Sequence, residues 1–325
     1  MPDRPTAVST ADLDAAAAFL RAGDGFFVTS HINSDGDGIA GGLAAQAMLR
    51  QLGKAADIVL QDVPDDGYAF LEGWQGILEA VDPPQSQYGR ILVLDCPTLD
   101  RIGRAEAYLA ADAAVLNVDH HHDNLRFGAA NLVSDAVCST CEMLYHLAVH
   151  MELDIDQAIA EHLYTGILFD TGGFRYSLTT PTSMEVGADL VRRGARLDRV
   201  ADRLYNNANL TSVKLIGRAI DSLQLHCDEK VATLRLTSED MRLGDPEAAV
   251  NYGLMVRGVE VAVLFKEEQA GAYRVSLRSR EAVDVSAVAH VFGGGGHARA
   301  AGCRLQGDID DVHSRLLAVV GELLP

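Results

Sequence analysis

Short continuous runs of apolar residues alternate with helix-period stretches through the first half of the chain. Gly25-Phe26-Phe27-Val28-Thr29 runs into His31, and Asp57-Ile58-Val59-Leu60 follows a helical pattern. Ile91-Leu92-Val93-Leu94 stops at Asp95, and Ala114-Val115-Leu116-Asn117-Val118 stops at Asp119. Runs without polar alternation are strands buried on both faces, and helices between them make the sheet parallel. Ligands of such sheets bind beyond the carboxyl ends of the strands, so residues distant in sequence converge on one edge.

After Asp170, which closes an apolar stretch of helical character, the periodicity is helical over 182–193, 197–209 and 212–225. The polar run Tyr205-Asn206-Asn207-Ala208-Asn209 is the best linker. From about residue 215 the signal changes to longer strands at 231–236, 259–265 and 273–277, with a short turn at Gln269-Ala270-Gly271. Helical patterns at 284–292 and 311–323 accompany them. The prediction is an α/β protein: a parallel-sheet domain with helices on both faces over 1–195, a helical linker at 196–214, and a smaller α+β domain at 215–325.

With 325 residues and 48% hydrophobic composition, both domains have room for a core. A net charge of −19 leaves no broad basic face for a long duplex. Short anionic ligands are still admitted, because bound cations and a local Arg/His pocket reverse the field inside a cleft. The five cysteines are odd in number and sparse, which argues against a disulfide framework. Cys138-Ser139-Thr140-Cys141 matches C-x-x-C but lacks a second pair and opens an apolar helical pattern, so packing thiols are preferred over zinc or redox chemistry. No signal core follows Met1 and no stretch is long and apolar enough for a membrane span, so the expectation is a soluble, cytoplasmic protein.

Candidate chemistry gathers in four fragments: His31-x-x-x-Asp35-x-Asp37, Asp95, Asp119-His120-His121, and Asp170. Hard carboxylates mixed with imidazoles at the ends of buried elements suit a two-metal phosphoesterase site. Three of the four fragments have a plainer alternative. Asp35 and Asp37 suit a helix N-cap, Asp95 a turn, and the His120-His121-His122 run a solvated loop. His146, His150, His162, His226 and His313 lie in regular patterns and read as surface or core residues.

Together the fragments resemble the DHH phosphoesterase superfamily, named for its Asp-His-His. Cys138-Ser139-Thr140-Cys141-Glu142 and Thr171-Gly172-Gly173-Phe174-Arg175-Tyr176 are similar to later segments of that domain. Ser276-Leu277-Arg278-Ser279-Arg280 and Gly293-Gly294-Gly295-Gly296-His297-Ala298-Arg299-Ala300-Ala301-Gly302 resemble its DHHA1 domain. The first motif departs from the family pattern, with Ser34 in place of proline and Gly38-Ile39-Ala40-Gly41 in place of Ala-Ile-Gly-Ser. The resemblance points to the compact subgroup of nano-RNases and phosphoadenosine-phosphate phosphatases.

It implies two divalent ions, Mn²⁺ ahead of Mg²⁺ or Co²⁺, held by His31, Asp35, Asp37, Asp95, His120 and Asp170, with Asp95 bridging. The ions would activate water for in-line displacement at phosphorus. Asp119 would orient a neighbouring imidazole, and His121 would contact phosphate or protonate the leaving group. His122 is expected to be peripheral. Arg278, Ser279, Arg280, Gly294, Gly295, Gly296 and His297 would grip the rest of the substrate, the glycine amides and Arg forks suiting phosphate.

The expected activity is hydrolysis of short oligoribonucleotides to mononucleotides, together with dephosphorylation of phosphoadenosine phosphate to AMP. A cyclic or linear dinucleotide phosphodiesterase is the alternative, and a non-catalytic nucleotide sensor a more distant one. Expected partners are short RNAs or nucleotide bisphosphates, with no long duplex and no membrane. A homodimer is compatible with the chain but marked by no residue pattern.

Overall fold

The structure is a computed structural model that describes residues 8–62 and 66–324. It divides into two units, Met1–Asn207 and Ala208–Pro325. The first is built on six strands: β1 (Phe26–Thr29), β2 (Ala56–Leu60), β3 (Leu78–Glu79), β4 (Tyr88–Leu94), β5 (Leu109–Asp119) and β6 (Ala130–Val133). Their order is β3-β2-β1-β4-β5-β6, and every pairing is parallel. Around it run α1 (Thr10–Ala22), α2 (Gly36–Gln51), α3 (Thr140–His150), α4 (Gln157–Asp170), α5 (Pro181–Arg192) and α6 (Leu197–Tyr205).

The apolar strands alternate between two buried layers, as a parallel sheet requires. Phe26, Val28, Leu92, Leu94, Leu116 and Val118 join the large core that includes α2, α3 and α4. Phe27, Ile91, Val93 and Val115 enter a second core on the opposite face, closed by Ile102, Ala105 and Tyr108. Side-chain caps fix the starts of the site-bearing helices. Ser139 Oγ accepts from the Glu142 amide at 3.0 Å, and Asp156 Oδ1 from that of Ile159 at 2.9 Å.

The second unit carries α7 (Leu210–Asp221), β7 (Gln224–His226), β8 (Val231–Leu236), α8 (Ser238–Met241), α9 (Val250–Met255), β9 (Val261–Gln269), β10 (Ala272–Ser279), α10 (Val285–Val291), β11 (Gly295–His297), β12 (Ala300–Gln306) and α11 (Ile309–Leu323). Its sheet order is β11-β12-β10-β9-β8-β7, antiparallel except between β8 and β9. One face is covered by α10 and α11, the other by α9 and α7. The expected α/β architecture with a smaller α+β partner is borne out. All five cysteines are free, and only Cys227 is exposed.

Candidate metal centre

Strand order reverses between β1 and β4: the chain runs outward from β1 through β2 and β3, then returns to the other side of β1. Parallel sheets open a crevice at such a reversal, beyond the strands' carboxyl ends. The segment from His31 to Asp37 follows β1, Asp95 follows β4, and β5 ends at Asp119 beside His120. Asp170 arrives from a helix, as the last residue of α4.

Asp95 lies at the middle of the cluster. Its Oδ2 is 3.4 Å from His31 Nε2, and its Oδ1 is 3.5 Å from His120 Nε2 and 3.6 Å from His121 Nδ1. His120 Nε2 also lies 3.1 Å from Asp170 Oδ2, and His31 Nε2 lies 4.0 Å from Asp35 Oδ2. Three triads bring one ligand atom each within 4.8 Å of one another: His31, Asp35 and Asp95; Asp37, His120 and Asp170; and Asp95, His120 and His121. Asp95 has φ of 52°, a left-handed conformation uncommon for a residue with a side chain, at the point where its carboxylate leaves the strand.

Asp35 caps α2, its Oδ1 accepting from the amides of Asp37 at 3.0 Å and Gly38 at 3.4 Å, while Oδ2 faces His31. The N-cap and ligand readings of this residue are therefore compatible. Asp37 is wholly buried, and both its oxygens meet the N-terminus of α3: Oδ2 accepts from the Thr140 amide at 2.6 Å and Oδ1 from that of Cys141 at 3.0 Å. A helix N-terminus is a favourable place for a buried anion. The Thr140 hydroxyl adds a contact to Asp95 Oδ1 at 3.4 Å.

Burial opposes charge throughout the cluster, and the neighbours decide the outcome. For Asp95, burial works upward, but contacts with His120 and His31 outweigh it and hold the carboxyl well below its ordinary range. Burial pushes down on His31, yet Asp95 and Asp35 raise it to about 9, and Asp170 and Asp95 raise His120 against its own burial. Burial and the charge of Asp95 push Asp37 up to about 7 and raise Asp35. Asp170 is raised by burial and by Asp37. Carboxylates crowded until they repel one another, interleaved with imidazole nitrogens, are a donor set that divalent cations fit.

Behind the cluster, Asp119 is fully buried. Its Oδ1 lies 2.7 Å from His121 Nδ1, and its Oδ2 accepts from Asn124 Nδ2 at 2.6 Å. The same amide reaches Asn117 Oδ1 at 2.8 Å, and Asn117 Nδ2 donates to the backbone of Cys96 at 3.1 Å. Asn124, Asn117 and Thr140 were not singled out from sequence. Ser139-x-x-Glu142 does match a helix-start signature, which places the Thr140 and Cys141 amides in a first turn. His122 is exposed.

The remaining candidates lie in the second unit. On β10, Arg278 pairs with Glu247 Oε1 at 3.4 Å and Ser279 Oγ donates to Ala298 O at 3.3 Å. Glu247 also takes Ser276 Oγ at 2.9 Å and the buried Lys266 ammonium. Arg280 donates to the carbonyls of Val259 at 2.9 Å and Leu254 at 2.5 Å. The amides of Gly293 and Gly294 close the end of α10 on His290 O and Ala289 O, whereas Gly295, Gly296 and His297 pair with β12. The His297 side chain lies outside the described residues.

A doubly covered parallel sheet with these carboxylates and imidazoles at its switch point suits metal-dependent hydrolysis of phosphate esters. The chain belongs to the DHH family: the family's N-terminal domain matches residues 25–167, and the DHHA1 domain matches residues 228–324. It is 31% identical over 312 residues to the bifunctional oligoribonuclease and PAP phosphatase NrnA of Thermus thermophilus, covering 95% of this chain and 93% of that one. The protein of the same name from Bacillus subtilis is 25% identical over 289 residues, covering 87% and 90%. The crystal structure of an exopolyphosphatase-related protein from Bacteroides fragilis matches with a TM-score of 0.90 at 25% identity, covering 98% and 99%. The resemblance read from the motifs is thus borne out. No described helix is long and apolar enough to cross a membrane.

Proposed function

We propose that this chain hydrolyses short oligoribonucleotides to mononucleotides and removes the 3′-phosphate of phosphoadenosine phosphate. The observation that carries this reading is the convergence of three carboxylate–imidazole triads at the β1/β4 switch point, in a chain similar over 95% of its length to an oligoribonuclease and PAP phosphatase. His31 and Asp35 would hold one divalent cation and Asp37, His120 and Asp170 a second, with Asp95 facing both. Mixed carboxylate and imidazole donors favour Mn²⁺ over Mg²⁺. When bound, the ions supply an activated water and neutralise charge on the phosphate.

The protein's own part is to position these groups. The α3 N-terminus fixes Asp37, and the Asn117–Asn124–Asp119 chain orients His121. So oriented, His121 serves as phosphate contact or proton donor to the leaving group. The first domain, 1–195, is read as the catalytic metal-binding domain, and the second, 215–325, as a substrate-binding domain acting through Arg278, Ser279, Arg280, the Gly294–Gly296 segment and His297. We place this activity in the cytoplasm.

The test is hydrolysis, with added Mn²⁺, of 5′-labelled RNAs from two to about twenty-four nucleotides, beside phosphoadenosine phosphate and cyclic dinucleotides. Rapid loss of the shortest RNAs, absent in Asp95→Ala, is expected. Equal turnover in that variant would overturn the assignment of the site. Preference for cyclic dinucleotides would overturn the substrate.

A further inference from the structure

The chain turns sharply just after Asp170. Gly172, Gly173 and Phe174 all take positive φ, at 57°, 72° and 61°. Phe174 anchors the turn by packing on Tyr164 with ring centroids 6.4 Å apart. The next two residues, Arg175 and Tyr176, are exposed. A third side chain joins them from α6: Tyr205 donates its hydroxyl to Leu168 O at 2.7 Å, two residues before Asp170.

The arrangement is specific. Arg175 Nε donates to Gly172 O at 2.5 Å, and its guanidinium carbon lies 6.0 Å from the Tyr176 ring centroid and 5.7 Å from that of Tyr205. Gly172 makes room for the Tyr176 ring, since a Cβ there would lie 2.6 Å from Tyr176 Cδ2, whereas one at Gly173 would stand at an ordinary contact distance of 3.5 Å from Tyr205 Oη. Yet Tyr176 remains 45% exposed and Tyr205 43%. Two tethered aromatic rings and a guanidinium are thus left open to solvent on a turn that begins at a residue of the metal-type cluster. Aromatic faces joined by an Arg plane are the surface on which unpaired nucleobases stack, with little preference among bases.

We propose that Tyr176, Tyr205 and Arg175 form a stacking platform for the nucleobase of the nucleotide whose phosphate lies at the acid–imidazole cluster. This rests on the proposed action on short RNA and deepens it, by naming a group that holds the base. The platform selects single-stranded substrates, because a paired base has no free face to offer it. It also explains how a strongly acidic chain holds a short nucleotide without a basic groove: part of the binding comes from stacking.

Two measurements separate the platform from the hydrolytic assignment. The first is quenching of a 2-aminopurine-containing RNA dinucleotide by the protein in excess chelator, which reads stacking without turnover. Wild type should quench, Tyr176→Phe should retain quenching, and Tyr176→Ala and Tyr205→Ala should weaken binding about tenfold, the effect of one lost base–aromatic stack. The second is the ratio of kcat/KM for a base-bearing dinucleotide over an abasic one with Mn²⁺. That ratio should fall about tenfold in either alanine variant, through KM. Quenching without turnover would keep the platform and sink the hydrolytic reading. Absence of quenching by wild type, or an unchanged ratio in Tyr176→Ala, would sink the platform. Tyr176 is the decisive position, because its exposed ring can be removed without opening the core.

Discussion

Replacing Gly166 with alanine tests the construction of the site more sharply than removing any ligand. Gly166 is buried in α4 one turn before Asp170, where α4 packs against α2 and α3. A Cβ there would overlap Asp37 Oδ1 and Cys141 Sγ and lie 2.9 Å from Cys141 Cβ. Two opposing effects act on stability. Alanine is favoured over glycine in a helix by about 1 kcal/mol, whereas forcing a methyl into a packed interior costs about 1–3 kcal/mol. The net loss is about 0–2 kcal/mol, a fall of a few degrees in melting temperature for a unit of this size.

Activity has no such compensation. Asp37 can make room only by leaving the Thr140 and Cys141 amides, which hold it at 2.6 and 3.0 Å. A displacement of about 1 Å in a positioned group costs roughly 100-fold in rate. The assay is Mn²⁺-supported cleavage of an RNA dinucleotide beside a melting curve. Adding Cys141→Ala removes the thiol overlap but leaves the carboxylate overlap. The double variant should therefore regain part of the lost melting temperature without regaining turnover. Wild-type turnover in Gly166→Ala would refute the reasoning, because α4 would then accept the methyl without disturbing Asp37.

Two further outcomes follow from buried charge. Burial pushes the His162 imidazole from 6.5 down to about 4; the folded state favours the neutral ring, so stability is lost as pH falls from 6.5 toward 4, by about 3 kcal/mol in all. His162→Leu should flatten the slope of the urea midpoint against pH in that window, and an unchanged slope would remove His162 as its source. Raising Mn²⁺ to about 100 times its dissociation constant should stabilise the wild type by about 3 kcal/mol. In Asp95→Ala most of that shift should vanish, and an equal shift in both proteins would place the cation elsewhere.

What was legible in the sequence depended on burial. Strands β1, β4 and β5 lie inside the sheet with both faces covered, so they appear as unbroken apolar runs whose ends can be read. The edge strand β3 is two exposed residues, Leu78 and Glu79, and leaves no pattern. In β11, Gly295-Gly296-His297 has the composition of a loop and becomes a strand only through pairing with β12. The acidic and imidazole side chains were visible because residue type carries their chemistry. The Thr140 and Cys141 amides were not, since a backbone donor belongs to every residue except proline. Gly166 was hidden for a related reason: what matters there is the side chain it lacks.

These less visible parts explain how so much negative charge is stored before any cation arrives. Asp35 sits at the N-terminus of α2 and Asp37 against that of α3, so two helix ends and three imidazoles offset the four carboxylates. Each oxygen of Asp37 that accepts one amide still has a second lone pair to offer a metal. The framework is therefore set by the protein, and the cation completes its charge balance instead of assembling it. Asp95 illustrates the consequence, since its charge is one cause of the upward push on both Asp35 and Asp37. Its removal takes that repulsion from Asp35 and Asp37 and a partner from His31 and His120, which keep the Ile32 carbonyl at 2.9 Å and Asp170 at 3.1 Å. Without metal, Asp95→Ala should still melt in one cooperative transition, so that its lost hydrolysis can be charged to the site and not to loss of the fold.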